Sequence, residues 1–195
     1  MVERFFSTRQ LGGLVSIQPL VLLSGPPCCG KTSLLFQFAI NCASESNRDV
    51  VFICNKRKLE NKPPFLSQGL DPSSDVLQRI QIKNCQLRYC NARGRDLGMV
   101  HTLALCQDAI IHANGKMQPA GSCTLLLADT HQGDTPRLLF IYKRWINCIF
   151  TIQGDSSGSY IIKNSSISGS IKEKTKTAKY SIALQNLVLE EIVDE

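Results

Sequence analysis

The chain has 195 residues, of which 43% are hydrophobic and 19% are charged, a composition that indicates a globular domain and excludes a chain disordered throughout. No apolar run reaches the roughly 18 residues that a membrane-spanning helix requires, and the first ten residues lack the apolar stretch of a secretory signal. We therefore expect one soluble intracellular domain, residues 1–195, with an N-terminal arm at 1–19. The net charge of +6 is compatible with a polyanionic partner but does not identify one.

The nine cysteines form no C-x-x-C pair. A chain without a secretory signal keeps its thiols reduced, and many such side chains are buried as small hydrophobic groups. The spacing also lacks the paired pattern of a structural zinc site. We therefore expect neither disulfides nor zinc.

Short apolar segments bounded by turn residues predict buried strands, and longer segments with apolar residues three or four apart predict helices. The predicted strands are 20–23, 50–54, 79–83, 123–128 and 148–152, and the predicted helices are 31–40, 97–112 and 136–146. Residues 154–179 are rich in serine, glycine and lysine, which indicates a flexible basic loop or a hairpin, and 180–193 predict terminal strands. Alternating strands and helices indicate an α/β fold with a mainly parallel central sheet.

Residues 25–32 fit the pattern G-x-x-x-x-G-K-[ST] at every required position, and we call them the phosphate loop. Its residues are Gly25, Pro26, Pro27, Cys28, Cys29, Gly30, Lys31 and Thr32. Backbone N–H groups of such a loop bind phosphate oxygens, and the following helix adds its positive dipole end. The pattern predicts that this loop and Ser33 bind ATP, with Lys31 reaching the β- and γ-phosphates.

A magnesium ion bound with the triphosphate needs oxygen ligands. The Thr32 hydroxyl is one candidate, and Asp129, at the end of a predicted strand, is the other. Ligands in open α/β sheets gather at the carboxyl ends of the strands, which favours Asp129 over Asp134, five residues farther on. Asp129 could instead only cap a loop. Cys28 lies next to a second cysteine at the predicted start of a helix, so either a redox role or a tolerated small residue is open.

The chain resembles the RecA-type recombinase ATPases over roughly residues 20–152. Within that group it is most similar to the small ATPase-like subunit that pairs with a SWIM-type zinc-finger protein in the Shu complex. The resembling segments are GPPCCGKTSLLFQFA, VVFIC followed by Lys56-Arg57, Gly69-Leu70-Asp71-Pro72, Leu77-Gln78-Arg79-Ile80 and LLLAD.

This resemblance implies a three-layer RecA-like core, homologous recombination and DNA repair, binding of single-stranded DNA, association with recombinases or their paralogues, and a nuclear location. It also implies that Gln153 senses the γ-phosphate, although Gln153 could equally be a surface amide. RecA-type enzymes usually place a glutamate just after the second strand to orient the attacking water. Lys56 stands there, and Glu60 lies four residues beyond. A lysine cannot position water as a carboxylate does, so we expect weak hydrolysis at most.

Lysines concentrate after Gln153, where phosphate pairing and base stacking on Tyr160 or Tyr180 would suit single-stranded DNA. The candidate lysines are Lys163, Lys172, Lys174, Lys176 and Lys179. The alternative is an ordinary solvated loop. A second basic cluster could face DNA or a protein, and it contains Arg79, Lys83, Arg88, Arg93 and Arg95. Phe5 and Phe6 could dock on a neighbouring subunit or pack on the chain's own core.

Three functions remain open at this point. The first is a recombination accessory factor that binds ATP and single-stranded DNA and acts with partners. The second is a small nucleoside or nucleotide kinase, which would need an arginine-bearing lid over its second substrate. The third is a scaffold whose bound nucleotide only sets its conformation, which Lys56 favours over a vigorous ATPase.

Overall fold

The computed structural model describes residues 2–6, 19–46, 49–67, 75–84, 92–116, 123–131, 139–165 and 176–194. A 3-10 helix, Val2–Phe5, comes first. The strands are β1 (Leu20–Gly25), β2 (Val50–Cys54), β3 (Ile80–Asn84), β4 (Leu125–Thr130), β5 (Cys148–Gly154), β6 (Tyr160–Asn164), β7 (Lys176–Ala183) and β8 (Asn186–Asp194). The helices are α1 (Lys31–Ser46), α2 (Lys56–Asn61), α3 (Asp75–Gln78), α4 (Ala92–Lys116) and α5 (Leu139–Trp145).

Six strands form one sheet in the order β4-β1-β5-β6-β7-β8. Strand β1 pairs in parallel with both β4 and β5, whereas β6, β7 and β8 extend the sheet as antiparallel hairpins. Strands β2 and β3 form a separate two-stranded parallel sheet. The parallel strands therefore carry the alternating βα part of the chain, and the antiparallel strands come from its C-terminal third.

The central strand β1 is buried on both faces, which explains its continuous apolar run. Leu20 and Leu22 pack against α4 and α5. Val21 and Leu23 face the opposite way, into a cluster with residues of α1. Helices on both faces of the sheet make three layers, so the predicted α/β fold is confirmed.

Helix α1 joins the two sheets. Its Leu34 and Phe38 belong to the core of the six-stranded sheet, while Ala39 and Ile40 pack with residues of β2 and β3. Helix α1, which begins at the phosphate loop, is thereby held between both sheets.

The N-terminal aromatic residues pack on the chain's own core. Phe5 is fully buried, with its ring 5.4 Å from that of Phe38 and 5.6 Å from that of Phe150. Phe6 lies 5.4 Å from the ring of Tyr180. This packing decides between the two alternatives that the sequence left open, because neither ring is exposed for docking.

The segment 154–179 needs a correction. A flexible basic loop was one prediction for all of it, but 160–164 and 176–179 lie in the paired strands β6 and β7, and 155–159 form the tight turn before them. Alternating residues such as Ile162 and Ala178 are fully buried, so burial of one strand face outweighs the polar composition. The hairpin alternative describes these residues correctly.

In the part of the chain that the structure describes, no helix combines the length and the apolar character needed to cross a membrane. All the described cysteines are free thiols, namely Cys28, Cys29, Cys42, Cys54, Cys106, Cys123 and Cys148. Cys85 and Cys90 lie outside the described residues.

Candidate functional site

The phosphate loop connects β1 to α1, and its two glycines are required by their surroundings. A Cβ atom on Gly25 would lie 2.8 Å from the Cβ of Ile152. Gly30 has a φ of +78°, which side-chain-bearing residues rarely adopt, and a Cβ there would lie 2.8 Å from Ile182 Cδ1. Cys28 also has a positive φ, 63°. Such strained backbone is typical of functional loops.

Two tyrosines hold the outer side of the loop. The buried Tyr180 hydroxyl donates to the Cys29 carbonyl oxygen at 2.7 Å, and the Tyr160 hydroxyl makes a longer bond, 3.4 Å, to the Cys28 carbonyl oxygen. The two rings stack with centroids 5.5 Å apart. In a trans peptide the C=O and the next N–H point in opposite directions. Fixing these carbonyls outward therefore turns the N–H groups of Cys29 and Gly30 toward the inner side of the loop.

These contacts correct one prediction about the tyrosines. Tyr180 is fully buried, and burial raises the pKa of its phenol above its ordinary value, so the hydroxyl stays a neutral donor. Its ring cannot stack on a nucleic-acid base. Tyr160 is only partly buried, but its ring stacks on that of Tyr180.

Helix α1 begins directly after the loop. The Leu34 N–H donates to the Gly30 carbonyl at 3.0 Å, which leaves the first N–H groups of the helix without intrahelical partners. The Lys31 ammonium lies over the loop, donating to the carbonyl oxygens of Gly25 at 2.9 Å and Pro26 at 2.5 Å. An ammonium, orphan helix amides and inward N–H groups together suit a polyphosphate.

The cysteines of the loop differ in exposure. Cys28 is exposed, whereas Cys29 is fully buried, with its Sγ 3.6 Å from Lys31 Nζ. Burial raises the pKa of the Cys29 thiol, although the charge of Lys31 opposes the shift. The lowered pKa that a redox role would use is therefore not found at Cys29, and this residue acts as a small buried side chain.

Asp129 lies inside β4, one residue farther into the strand than predicted, and pairs in register with Ser24, the residue just before Gly25. The buried Tyr142 of α5 lies beside the Asp129 carboxylate, and burial together with this carboxylate raises the pKa of the Tyr142 phenol above its ordinary value. The phenol therefore remains protonated and is available as a donor next to the carboxylate. Asp134 lies outside the described residues.

A buried polar pair follows Asp129. Ser24 Oγ and His131 Nδ1 are 2.8 Å apart, and both side chains are almost fully buried. This pair ties the end of β1 to the residue after β4, next to the candidate metal ligand. Sequence reasoning missed it, because a histidine eight residues after a cysteine carries no motif.

The other predicted loop residues divide into two groups. Thr32 is exposed, which leaves its hydroxyl accessible to a metal ion. The Ser33 hydroxyl is buried and accepts the Phe65 N–H at 2.9 Å, so this side chain supports the segment before α3, while its backbone N–H stays at the start of α1.

Gln153 is exposed in β5, two residues beyond Thr151, which pairs with Ser24. Gln153 and Asp129 therefore lie on opposite sides of β1.

Lys56 begins α2, a helix that the sequence analysis did not predict. Asn55 caps this helix by accepting the Lys58 N–H at 3.1 Å. Lys56 Nζ lies 3.9 Å from the Glu60 carboxylate, and both side chains are more than half exposed. The Glu60 carboxylate, exposed beside Lys56, is therefore not positioned to orient a water molecule for attack on a phosphate.

Two of the lysines proposed for DNA are engaged with carboxylates. Lys176 Nζ lies 2.6 Å from Glu3, and Lys179 Nζ lies 2.7 Å from Asp155. The Lys179 hydrogen bond lowers the pKa of Asp155 to about 2. Lys163 lies partly buried on β6. Lys172 and Lys174 lie outside the described residues, so their predicted role stays a prediction.

No protein-family model matches this chain, and no curated protein matches it. Solved structures do. A KaiC-like protein from the hyperthermophilic archaeon Pyrococcus horikoshii superposes with a TM-score of 0.51 at 16% identity, covering 89% of each chain. A RadB recombinase superposes with a TM-score of 0.56 at 11% identity, covering 88% of this chain and 90% of the other. The chain has a RecA-like fold. At these identities the likeness concerns the fold alone.

The RecA-like arrangement brings most of the predicted residues to one edge. The phosphate loop follows β1, Asp129 is the second-last residue of the neighbouring β4, and Gln153 is the second-last residue of β5 on the other side. Among the described residues no cluster of three His, Cys, Asp or Glu side chains gathers for a metal. One carboxylate and one hydroxyl fit magnesium, which usually keeps several waters and takes further oxygens from substrate phosphates.

Proposed function

We propose that this chain binds ATP with Mg²⁺ at the phosphate loop and acts as a single-stranded-DNA-binding accessory factor in homologous recombination and DNA repair. The observation that carries the nucleotide part is the loop between β1 and α1. Its carbonyls are fixed outward by Tyr180 and Tyr160, and its lysine lies over the bend. The RecA-like fold and the sequence resemblance support the recombination part.

Each residue has a distinct role in this proposal. The N–H groups of residues 29–33 bind phosphate oxygens, and Lys31 moves from the loop carbonyls to the β- and γ-phosphates. Thr32 and Asp129 hold the magnesium ion, which when bound neutralises charge on the phosphates. Tyr142 keeps the Asp129 carboxylate oriented. Gln153 senses the γ-phosphate from the end of β5.

The residues of this site suit ATP binding better than ATP hydrolysis. Lys56 occupies the position where the resemblance expects a water-orienting glutamate, and Glu60 lies beside that lysine at the surface. Phosphoryl transfer depends on positioned charge and an oriented nucleophile, so a lysine there leaves the water without a base. We infer a weak ATPase at most, in which the bound nucleotide mainly sets conformation.

The partners follow from the resemblance. We propose a nuclear protein that works with a SWIM-type zinc-finger protein and with a recombinase or its paralogues. A RadB recombinase among the structural neighbours supports the recombinase context. Co-purification of the chain from nuclear extract, followed by identification of bound proteins, tests this part. Recovery of no zinc-finger protein and no recombinase would count against it.

Lys31→Ala tests the nucleotide site. The substitution removes a charged donor whose hydrogen bonds to phosphate contribute about 1.5–3 kcal/mol, so affinity for a fluorescent ATP analogue with Mg²⁺ should fall about 10- to 100-fold. Lys143→Ala, which removes an exposed lysine of α5, serves as the control and should bind as the wild type does. Absence of ATP binding by the wild-type protein would refute the proposal.

Two further assays separate the alternatives. Fluorescence anisotropy with labelled oligothymidylate should show binding that weakens as salt rises. Phosphate release with ATP and DNA should stay low. Transfer of phosphate to a nucleoside or nucleoside monophosphate, without binding to single strands, would instead identify a small kinase.

A further inference from the structure

The carboxyl ends of β2 and β3 carry a dense group of exposed cations. Four lie in or directly after α2 and the fifth lies near the end of β3, and we call them the α2 surface: Lys56, Arg57, Lys58, Lys62 and Lys83. All five residues are exposed. The only acidic residue in 55–62 and 80–84 is Glu60, at 3.9 Å from Lys56. The α2 surface therefore has a net charge of +4, five cations less one carboxylate.

The two parts of this surface are fixed to each other. The Lys56 N–H donates to the Asn84 side-chain oxygen at 3.1 Å, which ties the start of α2 to the end of β3 beside Lys83. Leu59 packs with the cluster around Phe52 and Ile80, so α2 is anchored by one side. The exposed Arg57 and Lys58 are thereby held on a positioned helix rather than on a free tail.

Acidic residues lie at the other end of the same small sheet. Asp49 precedes β2 and Asp75 begins α3, which precedes β3. Five-residue strands separate the two ends by about 15 Å. This distance exceeds the Debye length of about 8 Å at physiological salt, so these carboxylates do not neutralise the α2 surface.

The lysines of the β6–β7 hairpin behave differently. Lys176 and Lys179 make ion pairs of 2.6 and 2.7 Å with Glu3 and Asp155. A phosphate group would have to displace a carboxylate from each of them. On the α2 surface the corresponding competition from carboxylates of the described residues is one contact of 3.9 Å, between Lys56 and Glu60.

We propose that the α2 surface binds the phosphate backbone of single-stranded nucleic acid. This inference rests on the proposed function and names the surface that carries its DNA contact. Lysine is depleted from protein–protein interfaces but common in phosphate contacts, which favours nucleic acid over an acidic protein. The exposed residues of α2 are polar, and its one large apolar side chain, Leu59, is partly buried, which disfavours insertion into a lipid surface.

The double variant R57Q/K58Q tests the proposal. Glutamine keeps good helix propensity, so α2 should persist. The matched control is K143Q/R144Q, which removes one lysine and one arginine from adjacent exposed positions of α5. Both double variants lower the net charge by the same two units. Binding of labelled oligothymidylate is measured by anisotropy across a salt series, with circular dichroism and ATP binding to verify folding.

Loss of two phosphate contacts should weaken binding by R57Q/K58Q about tenfold near physiological salt and reduce the slope of log K against log salt by about 1.4. The control should retain near wild-type affinity. Glu60→Gln should tighten binding about two- to fourfold, since it removes one competing carboxylate. If R57Q/K58Q and the control bind single strands equally well, as they would if the cations served a protein partner, the inference is overturned while the proposed function stands. Failure of the wild type to bind single strands would overturn both.

Discussion

Two strand–loop–helix units of this protein each begin with a parallel strand but differ in construction. The phosphate loop after β1 contains Gly25 and Gly30 in positions where a Cβ atom would clash, and a buried tyrosine holds its outer side. The turn after β2 contains only an asparagine cap, and α2 is exposed on most sides. The first unit has a fixed backbone geometry, which suits the anion binding proposed for it, whereas the second displays cations on the surface. The comparison supports the proposed combination of nucleotide binding with weak hydrolysis.

The largest expected effect concerns the second unit. Lys56→Glu should raise phosphate release measured without DNA at least tenfold, because general-base catalysis contributes roughly 10²- to 10⁴-fold where a carboxylate is positioned. Lys58→Glu changes the charge equally, two residues farther along the same helix, and should leave this DNA-free turnover unchanged. Equal rates for the two variants would show that position 56 does not face the attacking water.

Tyr180→Phe probes the first unit. The variant keeps the ring but leaves the buried Cys29 carbonyl without its donor, so the amide of Gly30 loses its fixed direction. Affinity for ATP should fall about tenfold, within the cost of about 1–3 kcal/mol for an unsatisfied buried group. Ser159→Ala removes a hydrogen bond from the turn before β6 to Glu190 of β8 and should not change ATP affinity. A drop of similar size in that control would indicate general loosening of the hairpin rather than positioning of the loop.

Tyr142→Phe should produce a smaller effect that depends on metal. The variant removes the phenol that lies beside the Asp129 carboxylate. If this phenol orients the carboxylate as proposed, affinity for ATP with Mg²⁺ should fall about fivefold, below the 10- to 100-fold typical when the oriented ligand binds metal directly. Binding of ATP without the metal, measured with a chelator present, should stay as in the wild type. An equal loss with and without Mg²⁺ would contradict a role at Asp129.

The smallest effect concerns the hairpin ion pair. Burial raises the pKa of Glu3, but its hydrogen bonds, the one from Lys176 foremost, outweigh burial and lower the pKa from 4.5 to about 2. The stabilisation is therefore complete above about pH 4.5 and is lost as the pH falls through about 2. Glu3→Gln should lower the free energy of unfolding at pH 7 by about 1 kcal/mol or less after allowance for solvent screening.

Urea denaturation from pH 7 to pH 3 measures this effect. The deficit of Glu3→Gln should shrink as the pH falls, because the wild type loses the same ion pair. Glu60→Gln, which removes the more exposed 3.9 Å pair with Lys56, is the comparison and should change stability by less. A deficit that grows at low pH would mean that Glu3 stabilises the fold in its protonated form.

The sequence by itself determined the phosphate-loop pattern and the strands that flank it. The phosphate-loop pattern carries its own chemistry, because only glycine fits where backbone amides must turn and only a cation neutralises phosphate. The runs at 20–23 and 148–152 are buried strands as predicted, since strands covered on both faces must be continuously apolar. The run at 50–54 is a strand, but the prediction that it is buried is wrong, because Val51 and Ile53 are exposed. The sequence also shows that Lys56 stands where the resemblance expects a glutamate, because a difference in residue type is visible without coordinates.

Tertiary structure alone decided how that site is supported and which cations are available. Tyr180 and Tyr160 reach the loop from about 130 to 150 positions away in the sequence, and Tyr142 reaches Asp129 from another helix. Local patterns cannot encode such contacts. The lysines of the late segment likewise form a basic stretch in sequence, but folding pairs Lys176 with Glu3 and Lys179 with Asp155. The order of charged residues along the chain is fixed by the sequence. Which lysines are available to a partner depends on which carboxylates the fold places beside them.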